Sequence, residues 1–326
     1  FDCHLEYAKA APDDILIRCS LTNRGKRKAP VSLLPTSWFR NTWGWGREGE
    51  DYCQRPKISL HQDGGLLLEH EQLGRFRFWV EGAQHWLFTE NESNFERLYS
   101  SKNPQPYVKD AFHRRVVQGD QGAVNPQQVG TKAAAWLEVE LDAGESVEFR
   151  FRLCAESLAP AQPFGRNFDL EMARRLSEAD EFYRHHAPVE LESEQGLVWR
   201  QALAGLFWSK KFYYYSVAEW LEGDPSQPPP PPQRKRGRNR RWDCHLYNRD
   251  VLLLPDAWEY PWYAAWDTAF HVIPLIRLDP ALAKQQLILL LREWYMHPNG
   301  QIPAYEWNFD DVNPPVHAWA AWRVYR

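Results

Sequence analysis

The stretch Trp258–His271, WEYPWYAAWDTAFH, sets six aromatic side chains, an embedded carboxylate (Asp267) and a histidine within fourteen residues. Pro261 offers a helix start, because the N–H it lacks is one that a first helical turn leaves unpaired anyway. From there Tyr263, Asp267 and His271 recur every fourth residue and share one helix face, while Trp262, Trp266 and Phe270 run down the neighbouring face. Two readings follow. Aromatic side chains at helical spacing build cores. A carboxylate among indole rings also suits a sugar, whose C–H faces lie on flat apolar rings while the carboxylate accepts its hydroxyls. Periodicity does not choose between them, but Asp267 adds weight to a site, since a buried charge is costly unless paired or used.

Outward from this stretch the second half reads as helix. Asn167 or Asp169 can cap a helix running to about His186, with Met172, Leu176, Ala179 and Tyr183 on one face and Ala187-Pro188 as its stop. It reads as a connecting helix. Ser193 begins another, striped by Trp199, Leu203 and Leu206, and the run Phe212–Tyr215 follows. Asp279-Pro280 is a cap with proline in the first turn, opening a helix from Ala281 to about Met296, with Leu282, Gln285, Leu289 and Trp294 as inward candidates. Pro298-Asn299-Gly300 ends it, and Asn313-Pro314 repeats the device before Val316, Trp319 and Trp322. Helix pairs joined by long loops suggest an α-helical toroid, and about four helices are too few to close one. The pattern is still running at Arg326, so the sequence reads as a fragment of a longer chain.

The segment Gly223–Arg241 interrupts the helices with five consecutive prolines, which favour polyproline II, and a basic block, Arg234–Arg241. A nuclear-localisation or nucleic-acid patch is one reading. A solvated loop over a domain face is the more ordinary one.

The first half alternates instead. Ile15, Ile17, Cys19 and Leu21 interleave with Leu16, Arg18, Ser20 and Thr22 before a turn at Asn23-Arg24-Gly25, and Phe76, Phe78 and Val80 interleave with Arg75, Arg77 and Trp79. Leu137, Val139 and Leu141 alternate with Trp136, Glu138 and Glu140; Asp142–Glu145 then turns the chain into Val147, Phe149, Phe151 and Leu153. That pair is the clearest hairpin in the chain, and the whole half suggests an antiparallel sandwich. Thr36–Gly46, with Trp38, Phe39, Trp43 and Trp45, reads either as a rim loop reaching a ligand or as a Trp-rich strand edge packed on its neighbour. Asn91-Glu92-Ser93 fits a glycosylation sequon that, without a secretory signal, reads as chance.

At 326 residues the chain has room for about two domains. With 44% apolar residues it can bury sizeable cores, and a net charge of −4 supplies no global reason to bind nucleic acid or an anionic membrane. Seventeen Trp suit both sugar binding and large cores. Cys3, Cys19, Cys53, Cys154 and Cys244 are scattered, with no C-x-x-C pair or zinc spacing, and read as reduced core residues in a reducing compartment. No apolar run reaches membrane-spanning length, no signal peptide opens the chain, and it begins at Phe1; the expected location is cytoplasmic. No metal-ligand spacing stands out, and no cofactor is expected.

The loop Gln301–Asp311 adds Glu306, Asp310 and Asp311 beside Tyr305 and Trp307. With Asp267 these are carboxylates near aromatics, the ingredients of glycosidic bond cleavage. A solvated pair is the plainer reading of Asp310-Asp311, and Glu306 stands evenly between structure and function. Several stretches together resemble one family. Trp266-Asp267-Thr268-Ala269-Phe270-His271 looks like the Trp-Asp-x-x-Phe-His motif of glycoside hydrolase family 63, which includes processing α-glucosidase I and bacterial α-glucosidases, with mannosylglycerate hydrolases close by. The Pro- then Arg-rich loop, His245–Val251, WEYPWYAAWD, and PNGQIPAYEW followed by NPPVHAW resemble its bacterial members over about Gly223 to Trp322.

The resemblance implies an antiparallel β-sandwich over residues 1–160, a connecting helix over 161–190 and the first part of an (α/α)6 barrel, a six-hairpin toroid, over 191–326. It implies inverting hydrolysis of an α-glucosidic or α-mannosidic bond in an oligosaccharide or small glycoside. Asp267 would line the −1 sugar subsite, with general acid as its less favoured role, and the catalytic Asp and Glu would lie beyond Arg326. Trp262 and Trp266 would be subsite walls, and His271 would pack against or orient Asp267. Gln301, Tyr305 and Glu306 match the family's loop without individual roles. Two alternatives stand beside this: a non-catalytic carbohydrate-binding protein on the same scaffold, and a nucleic-acid or SH3-type partner engaged through Pro228–Arg241.

Overall fold

The computed structural model describes residues 1–49, 52–237, 240, 245–254, 259, 262–304 and 312–326. The chain divides into two compact units, Phe1–Ala179 and Asp180–Arg326.

The first unit is built from antiparallel strands β1 (Asp2–Ala11), β2 (Asp14–Thr22), β3 (Ala29–Leu33), β4 (Thr36–Trp38), β5 (Lys57–Leu60), β6 (Leu66–His70), β7 (Gly74–Val80), β8 (His85–Thr89), β9 (Val129–Gly130), β10 (Lys132–Leu141) and β11 (Ser146–Ala155). Seven form one sheet in the order β1-β2-β11-β7-β6-β5-β9, and β3, β4 and β8 gather around β10 in a second. The two sheets share one core: Cys19, Ile58, Leu66, Phe78 and Phe151 of the first meet Phe88, Ala133, Ala135 and Leu137 of the second. The outer faces are covered too. Helices α1 (Phe95–Tyr99) and α2 (Ala111–Gln118) follow β8, and Phe112 of α2 packs with Leu87 and Ala134 on the smaller sheet. Helix α3 (Arg166–His185) lays Phe168 and Met172 on Ala8 and Leu16.

This layering explains where plain alternation fails. Leu16, on the polar side of the sequence pattern, is buried under α3. Arg77 and Trp79 are buried as well, because both donate to Asp63, at 2.5 Å and 3.0 Å. Burial works against the Asp63 anion, but hydrogen bonds from Trp79, Gly65, Arg77 and His61 outweigh it and hold the carboxyl well below its usual range. Leu176, expected on the inward stripe of α3, is exposed. Gly130 is required by the packing, since an added Cβ would meet the backbone of Thr89. The Asn23-Arg24-Gly25 turn falls where the sequence places it, with buried Asn23 donating to the carbonyls of Arg27 and Leu141 at 2.9 Å each. A buried bidentate ion pair stands among these polar groups, Arg152 Nε to Asp14 Oδ1 at 2.9 Å and Nη2 to Oδ2 at 2.5 Å. It bridges neighbouring strands β2 and β11.

The second unit holds α4 (Ser193–Trp208), β12 (Lys210–Ser216), α5 (Val217–Glu222), β13 (Tyr247–Leu253), α6 (Ala265–Leu275), α7 (Pro280–Leu289) and α8 (Val316–Tyr325). A reciprocal capping box between Glu192 and Gln195 starts α4. Asp279 caps α7 by accepting from Leu282 N at 2.9 Å, with Pro280 in the first turn. The all-helix reading of this half needs correction: β12 and β13 pair antiparallel from Lys210↔Leu253 to Ser216↔Tyr247. The run Phe212–Tyr215 has strand propensity, but about thirty residues separate it from its partner, beyond the reach of hairpin rules. Helix α7 ends at Leu289, short of Met296, and its buried face is Ala283, Gln286 and Leu287, one residue out of step with the expected Gln285. Gln286 is buried because it bonds β13 twice, accepting from Leu253 N at 3.0 Å and donating to Val251 O at 2.9 Å. Asn313 donates to Ile302 O at 2.9 Å, and α8 begins later, after Pro315.

Of the cysteines, Cys19 and Cys154 are buried, whereas Cys3 is exposed and Cys53 intermediate, so the core reading fits two of them. Cys244 lies outside the described residues.

Candidate functional site

Helix α6 is the element that carries the candidate site. It starts at Ala265, not at Pro261, which lies outside the described residues together with the start of the expected helix, 258 and 260. Trp262 and Tyr263 therefore precede the helix, and Tyr263 does not share a face with Asp267 and His271. Both enter the core. Trp262 is 3% exposed, stacks on Tyr263 at 4.2 Å between ring centroids, and receives Tyr213 and Tyr215 edge-on at 6.1 and 5.9 Å. Trp262 presents no open ring face, as a subsite wall would.

The rest of α6 sorts by helical geometry. Ala265, Thr268, Ala269, Val272 and Leu275 are buried; Ala269, Val272 and Leu275 pack against α7 and α8, and Ala265 joins the cluster around Trp262 and Tyr263. Thr268 donates to Leu253 O at 3.2 Å, tying α6 to β13. Opposite that face stand Trp266, 41% exposed, and Phe270, 47% exposed, with centroids 6.3 Å apart. Phe270 meets Trp319 of α8 at 5.7 Å, so two helices contribute one accessible aromatic row.

Asp267 and His271 are half-buried at the margin of that row, one helical turn apart. Burial pushes the His271 imidazole down from its ordinary value, and the Asp267 charge pulls the other way. The net effect keeps the ring neutral at pH 7, able to donate from one nitrogen and accept at the other. His271 Nδ1 is buried with no hydrogen-bond partner among the described residues. The same holds for Trp199 Nε1 of α4, Trp262 Nε1, Asn248 Oδ1, Asn313 Oδ1 and both nitrogens of His317 near the start of α8. Buried polar atoms are ordinarily bonded, so such a group of orphans in one unit calls for a reason.

Behind the helix lies a device that periodicity missed. Buried Tyr263 donates to Tyr295 O at 3.3 Å, and Tyr295 donates to Asp250 Oδ2 at 2.9 Å. Burial pushes both phenols up, and for Tyr295 the Asp250 carboxylate adds to it. These hydroxyls stay protonated, as fixed donors that pin β13 to the core. The stretch His245–Val251 carries Asn248 and Asp250, but its role needed the β12–β13 pairing to become visible.

The Gln301 loop is tied at its neck. Pro303 bridges Val312, Asn313 bonds Ile302 O, and Gln301 N donates to Asn299 Oδ1 at 2.9 Å. Tyr305, Glu306, Asp310 and Asp311 lie outside the described residues. Among the described residues no cluster of three or more His, Cys, Asp or Glu side chains could hold a metal ion. No described helix is long and apolar enough to cross a membrane. The basic loop is partly described: Arg234 donates to Trp220 O at 2.9 Å and lies over the Trp220 ring at 4.7 Å.

In the second-sheet region of the first unit, the Trp-rich stretch is also placed. Trp43 donates to Glu92 Oε1 at 3.2 Å, Trp45 meets Tyr52 edge-on at 6.0 Å, and Trp38 is exposed.

No protein-family model matches this chain. It is 41% identical, over an alignment of 362 positions, to an uncharacterized protein of Saccharomyces cerevisiae. The alignment takes in all of this chain and 33% of the yeast protein, so the chain spans about a third of that relative's length.

Proposed function

We propose that this chain is the N-terminal part of an inverting α-glycosidase resembling glycoside hydrolase family 63, acting on α-glucosidic or α-mannosidic bonds in oligosaccharides or small glycosides. In this reading the first unit is the family's β-sandwich and the helices of the second belong to an (α/α)6 barrel. The observation that carries it is the arrangement on α6. A half-buried carboxylate, Asp267, and a neutral histidine, His271, stand one turn apart beside the accessible row Trp266–Phe270–Trp319. Aromatic faces take the C–H faces of a sugar, and a carboxylate beside them accepts its hydroxyls.

Asp267 is the carboxylate of the −1 subsite and His271 its neighbour in the same helix turn. The aromatic wall is drawn from Trp266, Phe270 and Trp319, with Trp262 as core support beneath. Gln301, Tyr305 and Glu306, which match the family's loop, are assigned to substrate binding without individual roles. An inverting enzyme also needs one acid for the leaving oxygen and one base for water; the family resemblance places both further along the polypeptide. No cofactor is required, and the site has no use for nucleic acid or membrane.

The test is hydrolysis of a panel of α-glucosides and α-mannosides by the full-length protein. Activity on at least one member, reduced in Asp267→Asn with the fold retained, supports the reading. Sugar binding without hydrolysis would replace it with the non-catalytic carbohydrate-binding protein. Binding of nucleic acid that disappears on deletion of Pro228–Arg241 would move the function to that loop.

A further inference from the structure

Cys3 lies on the edge strand β1 of the seven-stranded sheet and Cys19 on its neighbour β2, in the unit that the proposed sugar chemistry does not use. The β1–β2 register pairs Cys3 with Leu21 and Leu5 with Cys19. The cysteines are thus diagonal neighbours on one face, within reach of each other across the ladder. Their sulfurs are 3.6 Å apart. Cys19 is fully buried and Cys3 is exposed. Strand β1 is an edge strand whose ladder pairs it with β2 alone; α3 covers its Ala8 end, and at the Cys3 end it is held besides the ladder by ion pairs such as Arg24–Asp2 at 2.7 Å and Arg18–Glu6 at 3.7 Å. Exposed pairs of this kind contribute little to stability.

From this geometry we propose that Cys3 and Cys19 form a reversible disulfide that staples the edge strand β1 to β2 when the protein meets a small-molecule disulfide. The sulfurs must close to about 2.05 Å. That requires a small sideways shift, which an edge strand paired on one side can make and a central strand cannot. The exposed thiol acts first. The Cys3 thiolate attacks one sulfur of glutathione disulfide; the S–S bond breaks and one glutathione leaves as a thiolate that takes a proton from water. Cys19 then gives its proton to solvent and attacks the Cys3 sulfur of the mixed disulfide, expelling the second glutathione. The protein loses two hydrogens, and one glutathione disulfide becomes two glutathiones. Burial, reinforced by the Cys3 contact, pushes the Cys19 thiol up to about 12, so the second step is the slow one and the mixed disulfide at Cys3 accumulates first.

The experiment uses the intact protein, reduced and then incubated with glutathione disulfide, with free thiols blocked before digestion. Trypsin cleaves after Lys9 and Arg18 and so puts the two cysteines on separate peptides. The expected result is a glutathione adduct on Cys3 that gives way to a Cys3–Cys19 linked peptide, reversed by dithiothreitol and lost in Cys3→Ser. Amide exchange in β1 should slow in the linked form of the wild-type protein, which checks the staple without any substitution. A Cys3 adduct that persists without linkage, linkage of Cys3 to Cys53 or Cys154 instead, or no reaction at either thiol would each overturn the proposal.

Discussion

The two units differ in how their buried polar atoms without a well-formed hydrogen bond are answered. In the sheet unit polar side chains are spent on each other: Asp14 with Arg152, Asp63 with Arg77 and Trp79, Glu90 with Arg55 and Thr131. Even its buried atoms without a well-formed hydrogen bond, Arg18 Nε, Arg175 Nε and Glu171 Oε1, sit in ion pairs, at 3.5 Å to Glu148 and 2.7 Å between Arg175 and Glu171. In the helical unit Trp199, Trp262, His271, His317, Asn248 and Asn313 keep buried polar atoms that no described residue answers. Polar groups that complete each other stabilise a fold. His271 on α6 and His317 on α8 are among the unanswered ones, and polar groups left unanswered are tolerated mainly where something else is to be recognised. The difference supports looking for function beside α6 and α8, while the sheet unit reads as scaffold.

The comparison can be broken most forcefully in the scaffold. Arg152→Ala leaves the Asp14 carboxylate buried without its cation and should cost about 3–5 kcal/mol. Denaturant unfolding followed by a probe in the first unit checks this. The double variant Asp14→Leu/Arg152→Met should recover most of the loss, since a well-packed apolar pair can stand in for a buried ion pair. A loss in Arg152→Ala below 1 kcal/mol, on the order of an exposed pair's contribution, would remove the distinction between the units.

A smaller effect is expected at Asp267, and on activity instead of stability. A charged hydrogen bond to substrate contributes about 1.5–3 kcal/mol, so Asp267→Asn should lower kcat/KM roughly ten- to a hundredfold. Circular dichroism should stay unchanged, because the side chain is half-buried at the helix margin. Unaltered kinetics would put Asp267 outside the site.

Acid should separate the units next. Burial depresses His271 and His317 below the ordinary histidine value of 6.5. A group depressed in the folded state binds fewer protons there than in the unfolded chain. Its contribution is therefore complete above 6.5 and is lost as pH falls from that value through the depressed one. The Asp63 carboxyl in the sheet unit, depressed from 3.8, loses its contribution only when pH falls below that. His70, also depressed, is the sheet unit's one comparable histidine among the described residues. Stability of the helical unit should thus decline from pH 6.5 downward, and His317→Phe should flatten that decline. Thermal unfolding between pH 7 and pH 5, with probes in each unit, measures it; parallel decline of both units would contradict the asymmetry.

The smallest effect is expected at Trp262→Phe. It deletes a buried indole N–H that has no described partner, so relief of that orphan should offset much of the lost packing, for a net change within about 1 kcal/mol. A loss above 3 kcal/mol would show that the N–H is bonded in solution.

How much of this was legible from residues alone follows the same division. The strands Leu137–Leu141 and Val147–Leu153 and the Asn23 turn could be read because alternation and turn chemistry are local. The hairpin expected between those strands does not form: β10 pairs with β3, β4 and β8 in the smaller sheet and β11 with β2 and β7 in the larger. Leu16, Arg77 and Trp79 could not, since their burial depends on α3 and on the Asp63 cluster, which are distant in sequence. Asp279-Pro280 announced α7 correctly. The pairing of Lys210–Ser216 with Tyr247–Leu253 was hidden by the length of the intervening loop, and with it the role of Gln286. At the candidate site the four-residue spacing placed Trp266 with Phe270 and Asp267 with His271. Extending the same period back to Tyr263 failed, because the helix begins at Ala265 and the aromatic pair before it is core. Trp319 joined the row only through the packing of α8 on α6, which no spacing in sequence expresses.

The most direct measurement is the anomeric form of the first sugar that the full-length protein releases from an α-glucoside or α-mannoside, followed by proton NMR before mutarotation. The account predicts the β-anomer. First release of the α-anomer would mean a retaining enzyme and contradict it.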